Sequence, residues 1–263
     1  MFKIENLLPL VRGVPGNCRV KIYPDGTVGE VMACNRDVFT NGLELSKTSP
    51  KRGRKPAHED DAANEPDPAN VERARRRAKA KVFDLMWSNP DLVWFATLTL
   101  SKEQIDRYDY KTIVKKMGTW LDNSVRRKGL KYFLVPEQHK DGAYHFHGFF
   151  NDVFPVEFSG RYDDGGRPIY NLPAWKFGFS TLIQPTGSKL KTLRYVAKYV
   201  TKSDTQIRGR YYLSGGALER PHYMTFAVDY AAFEADRTFT IDGTGLEYKI
   251  SNDLQHLYVK EEE

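Results

Sequence analysis

Tyr144-His145-Phe146-His147-Gly148-Phe149-Phe150 is the stretch on which the reading of this chain turns. In an extended strand successive side chains point to opposite faces, so His145 and His147 share one face, roughly 7 Å apart along the strand, while Tyr144, Phe146 and Phe150 share the other. The pattern predicts a strand with one greasy side and one chemical side. Two imidazoles projecting together can grip a metal ion through neutral ring nitrogens, or they can simply face water on a sheet. The flanking sequence has to decide between those readings.

Immediately upstream, residues 131–138 read as a partner strand. If Lys140-Asp141-Gly142 is a three-residue hairpin loop, Gly142 takes the left-handed position and Glu137 falls opposite His145. Paired residues face the same way, so Glu137 joins His145 and His147 in a two-histidine, one-carboxylate cluster, with His139 at its rim. A two-residue Asp141-Gly142 loop would instead turn Glu137 behind the sheet. The register is therefore a sharp expectation.

Further out, residues 92–100 form a near-continuous apolar, β-prone run that reads as a central strand, with Phe95, Thr97 and Thr99 on one face. Before it, Asn70 can cap a helix over residues 70–88, with Ala74, Ala78, Val82, Leu85 and Met86 inward. The outer face of that helix carries Arg73, Arg75, Arg76, Arg77, Lys79 and Lys81, a basic stripe suited to phosphates or to water. A second helix spans residues 110–128, with Ile113, Met117, Trp120, Leu121 and Val125 on one stripe and Gly129 as its stop. Residues 151–177 are rich in Gly, Pro and Asp and read as a surface insertion near the site. In residues 178–184, Phe179, Thr181 and Ile183 alternate with Ser180, Leu182 and Gln184, as in a further strand, and two more strands are expected at 210–213 and 222–228.

These elements imply an α+β fold in two layers, a central antiparallel sheet of about five strands with flanking helices. The expected divisions are an N-terminal β-hairpin region over 1–45, a charged flexible linker over 46–69, a main domain over 70–235 and a C-terminal tail over 236–263. The hairpin is centred on Pro24-Asp25-Gly26-Thr27, and the linker loses hydrophobic pattern while its charges separate into a basic and an acidic block. Across 263 residues, 40 Lys plus Arg oppose 34 Asp plus Glu, a net charge of +6 that suits a polyanionic partner. Cys18 and Cys34 are the only cysteines, too few for a four-cysteine zinc site or a disulfide framework, so a reducing cytoplasm is the expected home. No stretch approaches the ~18 apolar residues of a membrane span, and neither a signal peptide nor a membrane partner is expected.

The second informative stretch is a helical pattern over residues 189–202, whose apolar stripe is Leu193, Val196, Ala197 and Val200. Tyr195-x-x-Lys198 is followed at once by Tyr199-x-x-Lys202, so the two phenols stand one turn apart with both ammonium groups beside them. Tyrosines so spaced can cover a core edge, but the lysines interrupt that edge with charge. A phenol with a pKa of about 10 becomes a useful nucleophile when positive charge favours the phenolate and a cation polarises its target.

Taken in order, Phe95-Ala96-Thr97-Leu98-Thr99-Leu100, Glu137 with His145-Phe146-His147, and Tyr195 to Lys202 resemble the HUH endonucleases. Among these the chain resembles the two-tyrosine rolling-circle replication initiators of bacteriophages and plasmids. Ser214 to Pro221 also looks like a segment that follows the tyrosine helix in phage members. The resemblance covers about residues 70–230 and implies an HUH-type catalytic fold that nicks single-stranded or extruded origin DNA. It implies that His145, His147 and Glu137 hold a divalent ion, Mg2+ or Mn2+, and that Tyr195 or Tyr199 attacks phosphorus with Lys198 and Lys202 stabilising phenolate or phosphate. The 5′ end would become a phosphotyrosine, a 3′-OH would prime synthesis, and the strand would be rejoined at termination in the bacterial host cytoplasm. Arg73, Arg75, Arg76, Arg77, Lys79, Lys81, Thr97 and Thr99 are the candidate DNA contacts. No Gly-x-x-x-x-Gly-Lys-Ser/Thr occurs, so a host helicase and polymerase are the expected partners. A single-strand transposase shares this chemistry, and a non-catalytic DNA-binding protein using the basic helix is the alternative outside it.

Overall fold

The computed structural model describes residues 16–39, 68–186, 206, 209–241 and 243–251. In chain order its elements are β1 (Cys18–Ile22), β2 (Val28–Cys34), α1 (Pro68–Ser88), β3 (Trp94–Thr99), α2 (Tyr110–Lys128), β4 (Tyr132–Gln138), β5 (Tyr144–Phe150), β6 (Glu157–Tyr162), β7 (Pro168–Asn171), β8 (Ser180–Ile183), β9 (Leu213–Gly215), β10 (His222–Phe226), β11 (Arg237–Ile241) and β12 (Leu246–Ser251). They fall into two compact units, one within residues 67–220 and the other drawn from the segments on either side. The α+β class holds in both sheets, and every strand pair is antiparallel.

The larger unit is built on a seven-stranded sheet in the order β6-β7-β8-β3-β5-β4-β9, two strands wider than expected. Its helices take opposite faces. Ile113, Met117 and Leu121 of α2 are buried in one cluster with Leu98, Leu134, Phe146 and Phe150. On the other face Ala78, Val82 and Met86 of α1 pack with Phe95, Phe133, Val135 and Phe149. Alternation along each strand supplies both clusters, because neighbouring residues of β3, β4 and β5 project into different cores. Ala74, expected inward, is exposed, so the buried stripe of α1 begins a turn later than its apolar residues suggest.

The ends of α2 are explained locally. The Asp109 carboxylate accepts hydrogen bonds from the backbone N–H groups of Lys111 and Thr112, which otherwise have no partner in a first helical turn. Those bonds, with that from the Thr112 hydroxyl first among them, hold the Asp109 carboxyl below its ordinary pKa. Gly129 closes the helix at φ 70°, a left-handed conformation that a Cβ would strain, and Arg126, Arg127 and Lys128 oppose the negative helix end.

Three sequence expectations need correction here. Residues 151–177 are no mere surface insertion: β6 and β7 extend the sheet, and Phe154, Leu172 and Trp175 enter the core. The strand expected at 210–213 lies at Leu213–Gly215 instead, paired with β4. Part of the expected C-terminal tail is a hairpin, β11 with β12, whose second strand pairs with β2.

The smaller unit is a five-stranded sheet in the order β10-β1-β2-β12-β11. The expected β1–β2 hairpin is present, with Gly26 at φ 82° and the Asp25 side chain accepting from the Thr27 N–H across the turn. It is flanked by β10 on one side and β12 on the other, so residues assigned to the main domain and the tail complete the sheet. Cys18, Val20, Ile22, Val31, Ala33 and Phe233 form its core, and both cysteines are buried and unpaired. Burial pushes the Cys18 thiol up to about 12, which makes it a small apolar filler rather than a reactive thiolate. Most of the 46–69 linker and the helix expected over 189–202 lie outside the described residues.

Candidate metal centre

Strand β5 lies between β3 and β4, and their registers assemble the site. Glu137 is paired with His145 across β4 and β5, while Thr97 and Thr99 of β3 are paired with His147 and His145. This is the register expected from the three-residue loop. Gly142 sits at φ 85°, its N–H reaches the His139 carbonyl at 2.8 Å, and the His139 N–H reaches the Ala143 carbonyl at 2.9 Å. The Asp141 carboxylate reinforces the turn by accepting from the Ala143 N–H at 3.0 Å and meeting Arg107 at 3.0 Å.

One carboxylate oxygen organises the cluster. Glu137 Oε2 lies 3.1 Å from His145 Nε2 and 3.0 Å from His147 Nε2. One ligand atom from each of the three residues lies within 4.8 Å of the others, and among the described residues this is the one such group of three. Glu137 is partly exposed while both histidines are buried, so the cluster is walled by protein and reached from one side.

The walls fix both rings. His147 lies parallel to the Phe95 ring, 6.2 Å between centroids, and its Nδ1 is 3.0 Å from Thr97 Oγ1. His139 stacks on His145 at 4.0 Å, outside the ligand group, and His145 and His147 meet edge to face at 4.7 Å. Burial first, then the neighbouring His145, lowers the His147 pKa to about 4, against an opposing pull from Glu137. Burial first, then His139, also lowers that of His145. Both imidazoles are therefore neutral near pH 7, the protonation state a metal ligand requires. The contacts to Glu137 are hydrogen bonds from neutral rings rather than ion pairs.

Neutral imidazoles with a carboxylate suit a divalent cation and leave coordination positions open on the accessible side. When the ring nitrogens facing Glu137 serve as ligands, their protons must reside on Nδ1. For His147 that N–H points at Thr97 Oγ1, the outer contact that fixes the tautomer of a metal-bound imidazole. For His145 the buried Nδ1 has no hydrogen-bond partner among the described residues, so its ring is held by stacking alone. Gly148 is a further requirement: a Cβ there would run into the Phe133 carbonyl oxygen and the Leu134 backbone. Only glycine lets β5 lie this close to β4 directly after the histidines.

Of the other sequence candidates, Thr97 touches His147 and Thr99 sits half-buried opposite His145. Arg73, Arg76, Arg77 and Lys81 are exposed on α1, and Arg75 and Lys79 are half-buried. Glu72 lies 3.9 Å from Arg75 and 3.8 Å from Arg76, which tempers the stripe's positive field. Tyr195, Lys198, Tyr199 and Lys202 lie outside the described residues. Sequence reasoning missed the Phe95 platform under His147, although placing Phe95 and Thr97 on one strand face carried the signal.

Residues 93–204 match a family model described as replication-associated protein ORF2. The matched stretch begins at β3, contains all three ligand residues and extends through the sequence bearing Tyr195 and Tyr199. It supports a family of replication initiators and a role in DNA replication. Neither the curated proteins nor the solved structures yield a match. No helix among the described residues is long and apolar enough to cross a membrane.

Proposed function

We propose that this protein starts rolling-circle replication by cutting one strand of origin DNA and later rejoining it, as an HUH endonuclease of the two-tyrosine type. The observation that carries this reading is the convergence of Glu137, His145 and His147 onto one point with both histidines neutral. The replication-associated match over the same residues gives that point its substrate class.

Glu137, His145 and His147 would hold a Mg2+ or Mn2+ ion, which when bound supplies Lewis-acid polarisation of the scissile phosphate. Tyr195 or Tyr199 attacks phosphorus through its phenolate oxygen, made accessible by the positive charge of Lys198 and Lys202. A phosphorus–tyrosine bond forms as the bond from phosphorus to the 3′ oxygen breaks, and that oxygen takes a proton to become the 3′-OH primer. The ester count is unchanged, so no nucleotide triphosphate is consumed. The second tyrosine repeats the cut at the regenerated origin while the new 3′-OH attacks the first phosphotyrosine and reseals the strand. Single-stranded or origin DNA is the substrate, the basic face of α1 supplies phosphate contacts, and strand separation and synthesis fall to a host helicase and polymerase.

The test incubates the full chain with Mn2+ and single-stranded oligonucleotides tiled across the DNA flanking its gene, followed by denaturing electrophoresis. The expected result is a protein–DNA adduct that survives SDS and disappears in the Tyr195→Phe, Tyr199→Phe double variant. An adduct of undiminished yield in that variant overturns the tyrosine assignment. DNA binding without any adduct favours a non-catalytic DNA-binding protein.

A further inference from the structure

Phe179 is the most exposed large apolar side chain of the described residues, at 74 %, and it stands beside the metal centre. It immediately precedes β8, whose Thr181 pairs with Thr97 and whose Ser180 pairs with Leu98. Continuing that register, the Thr99 N–H donates to the Phe179 carbonyl at 2.8 Å. Burial alternates in step, with Ser180 and Leu182 buried and Phe179 and Thr181 exposed. Phe179 therefore lies on the sheet face that carries Thr97, Thr99, Glu137, His145 and His147. One cross-strand row runs Phe179, Thr99, His145, Glu137. At the usual strand spacing Phe179 is about 10 Å from His145 across two strand intervals.

An apolar ring so exposed would be unremarkable on a mobile loop, but its backbone is clamped. The Ser101 N–H donates to the Phe177 carbonyl at 2.8 Å, and the Trp175 indole N–H reaches the Thr99 carbonyl at 3.3 Å. Gly178 has φ +150°, and a Cβ there would strike the Thr99 carbonyl oxygen and the Ser101 nitrogen. The chain is thus pressed against the end of β3 by a glycine that cannot be replaced, and the next residue is a phenylalanine aimed at solvent. Other exposed rings of this sheet are occupied. Phe158 packs on Tyr162 and Tyr170, whereas Phe179 has no ring or cation contact among the described residues.

We infer that Phe179, flanked by Thr181 and Thr99, is a stacking platform for one unpaired nucleobase, the base next to the phosphate positioned at Glu137, His145 and His147. The inference rests on the proposed nicking function for its ligand and adds a positioning residue which that chemistry does not require. A flat, sequence-tolerant π face at fixed distance from a phosphate site suits single-stranded DNA, because every base has a face to stack and a paired base does not expose it. Thr99 and Thr181 offer hydroxyls at the edge of such a base. The platform would set where along the strand the scissile phosphate comes to rest.

The experiment measures binding of a single-stranded oligonucleotide carrying 2-aminopurine at successive positions, in EDTA so that no cutting occurs. One position should be strongly quenched by the wild type. Phe179→Ala should abolish that quenching and weaken binding about 10-fold, while Phe179→Trp should restore both. An abasic residue at the same position should weaken binding to the wild type but not further weaken binding to Phe179→Ala, the non-additivity expected of two groups in contact. Additive losses, or quenching unchanged in Phe179→Ala, overturn the platform. Because binding is read without metal, a protein that quenches through Phe179 but forms no tyrosine adduct would sink the nicking reaction and leave the platform standing. One that forms the adduct with full binding in Phe179→Ala would do the reverse.

Discussion

The two faces of β5 differ in what they bury, not in how much. All seven residues from Tyr144 to Phe150 are buried. On one face Tyr144, Phe146 and Phe150 join the cluster under α2, an apolar seal in which each side chain is satisfied by contact alone. On the other, Phe149 joins the cluster under α1, while His145 and His147 continue the same row toward Glu137, Thr97 and His139. Burial therefore does not mark the functional face. What marks it is polar groups withheld from water and turned toward a shared point, a costly arrangement unless a ligand or a hydrogen-bond network repays it.

Breaking both faces at once should have the largest effect. Gly148→Ala places a methyl against the Phe133 carbonyl, so the β4–β5 pairing must open, and we expect a loss of more than about 4 kcal/mol of stability together with metal binding. Urea unfolding would read it, and a near-native midpoint would show that the strands part cheaply. Separating the faces comes next. Phe146→Ala should cost about 3–5 kcal/mol on the apolar side. His147→Ala should cost far less stability yet weaken Mn2+ binding at least about 100-fold by calorimetry, so equal stability losses in the two variants would erase the distinction between a sealing face and a liganding one.

The smallest expected effect is in pH. With a folded His147 pKa of about 4 against about 6.5 for a free imidazole, the unfolded chain binds more protons than the native one between those values. Stability of the metal-free protein should be fully present above pH 6.5 and fall as pH is lowered toward 4. His147→Ala should flatten that part of the profile, and a wild-type unfolding midpoint that stays constant through the window would contradict the buried neutral imidazole.

Much of this site was legible because its determinants are local. The bounds expected for the second helix, residues 110–128, are those observed, since an apolar stripe and a glycine stop act within one segment. The Glu137–His145 pairing was likewise readable, because a short loop with one left-handed glycine permits few registers. Strands without a buried side were not. β11 is exposed at every residue and β6 at all but one, so neither has the alternation that distinguishes a strand from a loop. Both were read as something else, a tail and an insertion.

The sequence by itself determined the local chemistry: two histidines on one face of a strand, a carboxylate returned to them by a turn, and the order in which helices and strands follow. Tertiary structure alone decided the company those residues keep. It set Phe95 and Thr97 against His147, put His139 on His145, clamped Phe179 at the end of the same row, and completed the β1–β2 hairpin with strands some 200 residues away. The physical reason is that hairpin register follows from a few dihedral angles. Pairing between distant segments is selected by the total apolar area and hydrogen bonding of the folded whole, which no single window of sequence contains.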